Sequence, residues 1–497
     1  MKRFFIFILL SILFGILSAQ EDEWLIDTTW IEQEDFEQFK QQSETKFDSF
    51  RDSINIRFAK ALAGEWTMFK VDKPRQLPQK PKPKTPPINK GDNLNPQQLP
   101  KGEVVPLPNK VKKEPQKLPP PSIQNNMTKT KIMFYNADIL VDIPQKDMVK
   151  SCVLASTKEK DVSLFWQQMT KTNVQACINK LLLQQEKLQL NDWAMYEMAL
   201  KLSKQLFSDA NRQVATTVFL MNQMEYDVRI ARTEKGLACL LAMDCKVYSI
   251  PYVTIGGKQY YIFLPNSEQR NLSGNIYSYT CTMDNAILPL NMVVNKTPLL
   301  PLQNRSMHKY SRSVDKYSVE VEVNESIIKF YKDYPQVDMH IYANAMITEE
   351  LKNSIDTYFR PIIEGKNVYQ AVSTLLHYMQ YGFDYATDDE QFGYEKPFFP
   401  EENFYYPQND CEDRGILFSY LVRYLLQLDV VLIDYPNHIA TAVCFPSDSN
   451  VTGDYYEYDN KKYIVCDPTY IGASIGMSQP ECRNEKVKII TLQPIDR

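Results

Sequence analysis

A cysteine, a histidine and an aspartate follow one another within about sixty residues near the C-terminal end: Cys411, His438 and Asp467. A thiol attacks as its thiolate, and it needs a proton acceptor in reach and a third group to orient that acceptor. Cys411 lies in Asn409-Asp410-Cys411-Glu412-Asp413-Arg414-Gly415. Beyond Gly415, apolar residues fall at Leu417, Tyr420, Leu421, Tyr424, Leu425 and Leu428, which is helical spacing with one buried face. Asn409 and Asp410 are good N-caps, so Cys411 is expected at a helix N-terminus. There the helix dipole lowers a thiol pKa from about 8.5 by one to several units. His438 follows Tyr435-Pro436-Asn437 and opens the alternating run Ile439 to Phe445. Asp467 ends the strand-like run Lys462 to Cys466 and is pinned by Pro468. Adjacent strand ends would bring His438 and Asp467 together. The other three histidines are weaker candidates: His308 in a polar loop, His340 in a strand-like run and His377 inside a helix.

The neighbours of Cys411 leave a choice open. Asp410, Glu412 and Asp413 either cap the helix or hold a calcium ion, which takes several carboxylate and carbonyl oxygens. Left unneutralised they oppose thiolate formation. Calcium, Arg414 or the imidazolium form of His438 would compensate. An oxyanion hole also needs a second donor beside the Cys411 backbone N–H. Gln391, Gln408 and Tyr385 are the upstream candidates, and Gln391 is preferred.

Asn437-His438-Ile439-Ala440 and Asp467-Pro468-Thr469-Tyr470, with Cys411 on a helix after a polar loop, resemble the transglutaminase-like branch of the papain-type thiol enzymes. The resemblance covers about residues 365–475. Asp410-Cys411-Glu412-Asp413 is also similar to bacterial transglutaminase-like cysteine peptidases, some of which bind calcium through acids flanking the cysteine. The whole layout resembles secreted transglutaminase-domain proteins of Bacteroidetes type. The resemblance implies an α+β fold with a catalytic helix packed on an antiparallel sheet. It implies acyl transfer from amide bonds of a protein or peptide substrate, with no required cofactor and calcium as an option. Two departures bear on substrate class: Asp410 stands where Gly often precedes the cysteine, and Ile439 stands where an aromatic often follows the histidine. The rival expectation is a scaffold that keeps the fold without turnover.

The rest of the 497 residues must position these groups. Met1-Lys2-Arg3, the apolar run Phe4 to Leu17 and Ser18-Ala19 read as a secretory signal peptide over 1–19, giving a secreted or periplasmic protein. Residues 20–71 read as an amphipathic helical segment that packs on the body or self-associates through 23–70. Fourteen of the 30 prolines lie between Pro74 and Pro121, so 72–121 reads as an extended linker. A mixed α/β domain over 122–345 and a catalytic domain over 346–497 follow. The first carries a faint echo of the second: Phe219 to Ile230 and the strand pair ending at Leu264 parallel Tyr420 to Ile433 and the strand pair ending at Asp467. If the echo is real, the first half is a degenerate copy without the Cys, His and Asp.

A net charge of −5 and the lack of a basic patch argue against nucleic-acid binding. No apolar stretch after the leader is long enough to span a bilayer. Nine cysteines without C-x-x-C spacing suit neither a disulfide scaffold nor a zinc site. Cys444 and Cys466 either pair or stay as buried thiols.

Overall fold

The structure, a computed structural model, describes residues 49–78, 82–91, 95–107, 127–144, 149–172, 174–265, 272–302, 305–311 and 318–495. The expected leader over 1–19 and the first part of the amphipathic segment lie outside them. Residues 1–52 and 53–497 are two units, and of the first only 49–52, which are helical, are described. The second unit mixes helices and sheets and is α+β.

Two six-stranded sheets dominate it, and they are wired alike. In the first half the helix Ala210–Gln223 precedes strands Val228–Thr233, Gly236–Ala242, Tyr252–Ile255, Lys258–Phe263 and Asn275–Ser278. In the second half the helix Cys411–Leu421 precedes strands Val430–Asp434, Ile439–Cys444, Tyr455–Tyr458, Lys461–Cys466 and Lys488–Thr491. Taken as first to fifth in chain order, both sets lie side by side as fifth, first, second, fourth, third, with every neighbour antiparallel. An ion pair repeats as well. Asp227 and Asp429 each directly precede the first strand and bind the lysine that opens the fourth, Lys258 at 2.5 Å and Lys461 at 2.7 Å. Each sheet is then extended beyond its fifth strand from the N-terminal region. Thr67–Lys70 joins the first sheet antiparallel to Asn275–Ser278, and Glu103–Val105 joins the second parallel to Lys488–Thr491.

The helix Cys411–Leu421 is buried along its whole length rather than on one face. One side lies on the second sheet, where Gly415 leaves room for Ile439, Thr441 and Leu432. Other sides meet the helices Val368–Tyr381 and Met339–Ala343. The helix widens into a π turn, Val422–Leu426, and stops at Gln427, whose φ is +56°. The Gln427 side chain caps the carbonyls of Arg423 and Tyr424.

Several local expectations change. The helical pattern of the N-terminal segment ends at residue 62, and Thr67–Lys70 is a strand. Ile54, Phe58, Leu62 and Trp66 are buried in the core of their own chain. Ile327, Ile328, Phe330 and Tyr331 favour strands by type, yet they lie in the helix Glu325–Lys332, which Asn324 caps. His340 sits in the helix Met339–Ala343. The run Gly236–Ala242, not anticipated as a strand, is one, and all but its first residue are buried. All nine cysteines are free. Cys444 faces Tyr463, whereas Cys466 faces Thr441 three positions away. An odd offset puts the two sulfurs on opposite faces of the sheet, so they cannot pair.

The described part of the Pro-rich stretch is extended and does not hang free. Leu99 is buried, the backbone N–H of Leu99 donates to the Tyr455 carbonyl, and residues 88 and 98 bridge to Ile471 and Tyr455.

Candidate active site

Cys411 is the first residue of its helix and is 1% exposed. Asp410 and Asp413 form a capping box, with the Asp413 carboxylate accepting from the Asp410 N–H at 3.2 Å. His438 closes a tight turn in which the Tyr435 N–H donates to its carbonyl at 2.9 Å, and the Tyr435 ring stacks on the imidazole. This turn delivers His438 at the mouth of strand Ile439–Cys444. Asp467 leaves the neighbouring strand Lys461–Cys466, so the two side chains meet: His438 Nε2 lies 2.8 Å from Asp467 Oδ2. With Nε2 so held, the imidazole also hydrogen-bonds the Cys411 thiol, and Nδ1 is the nitrogen left for it.

Asp467 is fully satisfied. Its Oδ1 accepts from the Thr469 and Tyr470 N–H groups at 2.9 and 3.1 Å, and Gln479 donates to Oδ2 at 2.9 Å. Burial works to raise its pKa, but His438, Gln479 and these N–H groups hold it below the usual carboxylate range. Burial likewise works to lower the His438 pKa. The charges of Asp467 and Cys411 outweigh it and push His438 up to about 10. The geometry therefore favours an imidazolium over a neutral ring beside the thiol.

The equivalent places in the first half are Ala210 at the helix start, Lys235 before the second strand and Leu264 after the fourth. None of the three is a thiol, an imidazole or a carboxylate.

Tyr385 supplies the hydroxyl nearest the sulfur among the described residues, with Oη 3.7 Å from Cys411 Sγ. A short parallel pairing of Asp384–Tyr385 with Gln408–Asn409 sets it there. Gln391, the preferred oxyanion donor from sequence, donates its amide N–H to the Gln408 carbonyl at 3.2 Å. Of these two candidates Tyr385 is the better placed. Arg414 is buried beneath the helix start, donating to Asn409 Oδ1 and to the Phe383 carbonyl, and so braces the loop instead of neutralising the acids.

The acidic neighbours divide. Asp413 points inward, accepting from the Phe398 N–H at 2.9 Å as well as from Asp410, and takes no part in a cation site. Asp410 and Glu412 turn the other way and meet Asp388, each offering an oxygen within 4.8 Å of the others. Such a set suits a hard cation by charge. The cation among them is an ammonium. Lys82, from the Pro-rich stretch, lies 2.6 Å from Asp410, 2.7 Å from Glu395 and 3.7 Å from Asp388, and also contacts Glu412. Burial of Lys82 disfavours its charge, but the four carboxylates outweigh it and hold it protonated. Burial and Glu412 push Asp388 up to about 7 and Glu395 up to about 8, while Lys82 holds Glu412 down to about 2. Lys82, Asp388 and Glu395 carry no local sequence signal. A lysine among prolines reads as solvated, and Asp388 reads as part of a helix cap. Compared with family models, with curated proteins and with solved structures, the chain finds no match in any of the three.

Proposed function

We propose that this chain is a thiol acyl-transfer enzyme with a papain-type, transglutaminase-like core, acting on amide bonds of a protein or peptide outside the cytoplasm. The observation that carries this reading is the linked set Cys411–His438–Asp467, with His438 held at 2.8 Å by Asp467 and hydrogen-bonded to the thiol at a helix N-terminus. In this mechanism the Cys411 thiolate attacks the amide carbonyl, and a C–S bond forms. The Cys411 N–H and the Tyr385 hydroxyl, 3.7 Å from the sulfur, are the donors assigned to the developing oxyanion. The C–N bond then breaks, and the His438 imidazolium gives its proton to the departing amine. Neutral His438 next takes a proton from water, whose oxygen attacks the thioester. A carboxylic acid leaves, and the sulfur regains its starting state. Asp467 keeps the imidazole oriented throughout. Water is the favoured acceptor because an amine would need a site of its own.

A second reading is favoured by one feature: the thiol is covered and the Pro-rich stretch is seated beside it, as in a scaffold that never turns over. Alkylation by a thiol-directed probe at pH 6–8 separates the two. The enzyme reading expects Cys411 to react faster than Cys444 or Cys466, and the His438→Ala variant to lose that advantage. Equal rates at all three sulfurs would sink it.

A further inference from the structure

We propose that the pocket formed by Asp388, Glu395, Asp410 and Glu412 is a subsite for a lysine side chain of a peptide substrate, and that Lys82–Pro83 of the chain's own Pro-rich stretch is seated there as such a substrate would be. This rests on the acyl-transfer reading only in naming the occupant a substrate. The stretch behaves as a docked peptide does. The Lys82 side chain is 4% exposed, yet Pro83, Lys84 and Thr85 lie exposed on the surface. One side chain therefore dips into a pocket while the backbone stays on the rim. The carbonyl of the next residue, Pro83, accepts from Tyr385 Oη at 2.9 Å, the same hydroxyl that lies 3.7 Å from Cys411 Sγ. A single hydroxyl thus links the peptide carbonyl to the candidate nucleophile.

Farther along, the stretch adds to the segment that follows Asp467. The Ile471 N–H donates to the Pro87 carbonyl at 2.8 Å, and the Asn89 N–H donates to the Ile471 carbonyl at 2.9 Å. Main-chain pairing of this kind gives affinity without sequence choice, and side-chain pockets give the choice.

The pocket also holds more acceptor oxygens than one ammonium serves. Four carboxylates surround one ammonium, and Asp410 Oδ1 and Glu412 Oε2 are buried with no donor. Unpaired buried carboxylate oxygens are costly unless a cation or proton serves them. Glu395 also lines a cavity of about 520 Å³ bounded by Pro74, Leu77, Pro78 and Tyr394. Space therefore adjoins the pocket at Glu395.

The test uses the full chain with Cys411→Ala, so that only binding is read, and a fluorescent peptide with the sequence of residues 80–91. With Lys82→Met added, the peptide should bind at least tenfold more tightly than to Cys411→Ala alone, because the internal competitor is weakened. Norleucine at the position of Lys82 in the peptide should cost at least tenfold, and so should Glu412→Gln in the protein. Should Lys82→Met not fold, Lys82→Gln serves instead, since its amide still donates to the carboxyl groups while the internal competitor loses its ammonium. Equal binding of the norleucine peptide overturns the proposal. So does absence of binding to a folded variant, or calcium raising the melting temperature of Lys82→Met while the peptide does nothing. Lysine-dependent binding without an activated Cys411 would leave the subsite standing and sink the enzyme reading; an activated Cys411 without lysine dependence does the reverse.

Discussion

The Lys82 ammonium lies 2.6 Å from Asp410 Oδ2, on the residue immediately before Cys411. This contact answers how a thiolate could form next to Asp410 and Glu412. Their charge opposes it, and a buried cation from a remote part of the chain offsets that charge. The arrangement has two opposed effects: Lys82 makes the electrostatics tolerable, and its segment is held on Tyr385, whose hydroxyl lies 3.7 Å from the sulfur.

Replacing Lys82 by Met separates those effects. Removing one partner of a buried ion pair costs about 3–5 kcal/mol, and that loss should appear in denaturant melts at pH 8. It should shrink at pH 5–6, where the acids no longer matched by an ammonium take up protons. Alkylation of Cys411 should meanwhile speed up at pH 6, because the segment seated on Tyr385 beside the sulfur has lost its anchor. Slower alkylation at every pH would mean that the charge effect outweighs the lost anchor.

Replacing Asp467 by Asn tests the other side of the site. The size is kept and the negative charge is lost. His438 then loses the main force that raises its pKa to about 10. Its charge should be lost at a lower pH, and with it the support for a thiolate. The alkylation rate of Cys411 between pH 6 and 8 should fall at least tenfold, and the high-pH break in the profile should move down. An unchanged profile would show that Asp467 only packs.

How much of this was legible is clearest at His438 and Lys82. His438 and Asp467 stood out because strand alternation places both at strand ends and Pro436 and Pro468 mark where those strands stop. The shared strand order of the two halves was visible only as an echo, since the pairing that defines it is non-local. Gly236–Ala242 was missed because a strand buried on both faces loses its alternation. Glu325–Lys332 is ambiguous in sequence because Ile327, Ile328, Phe330 and Tyr331 favour strands by type, while the cap from Asn324 and the burial of that face decide for helix. Lys82 could not be read at all. Its role depends on three separated segments meeting, and a Pro-rich neighbourhood is ordinarily solvated.

Stability should depend on pH in a direction that these groups fix. His438 has a folded pKa above its ordinary 6.5, so its contribution is full below that value and is lost as pH rises through about 10. Asp388 and Glu395 are also raised, to about 7 and about 8, so the folded state holds their protons longer and loses stability as pH rises through that range. Glu412 and Asp467 are lowered and contribute above the ordinary carboxylate range, with the loss coming as pH falls, toward about 2 for Glu412. The denaturation midpoint should therefore be highest near the ordinary carboxylate pKa, about pH 4–5, and fall toward pH 9. A midpoint that rises steadily to pH 9 would contradict the assigned charges.

Gly453 offers a test of how the orienting carboxylate is itself held. A Cβ at Gly453 would come within 2.1 Å of the Gly476 Cα, and Gly476 has a φ of +82°. The two chains cross here backbone to backbone. The Asp454 N–H donates to the Gly476 carbonyl at 2.8 Å, and Asp454 binds Arg483 at 2.6 Å. Gly476 is three residues before Gln479, which donates to Asp467 Oδ2. Overpacking at a crossing with no side chain to move should cost about 3 kcal/mol. Gly453→Ala is therefore expected to lower both the melting temperature and the reactivity of Cys411. Gln479→Ala, in contrast, removes one hydrogen bond to a charged group, about 1.5–3 kcal/mol at most. It should affect the pH profile of Cys411 more than the fold. If Gly453→Ala melts like the parent, the backbone crossing does not hold Asp467 in place. If Gln479→Ala leaves the profile unmoved, the Thr469 and Tyr470 N–H groups alone suffice to orient that carboxylate.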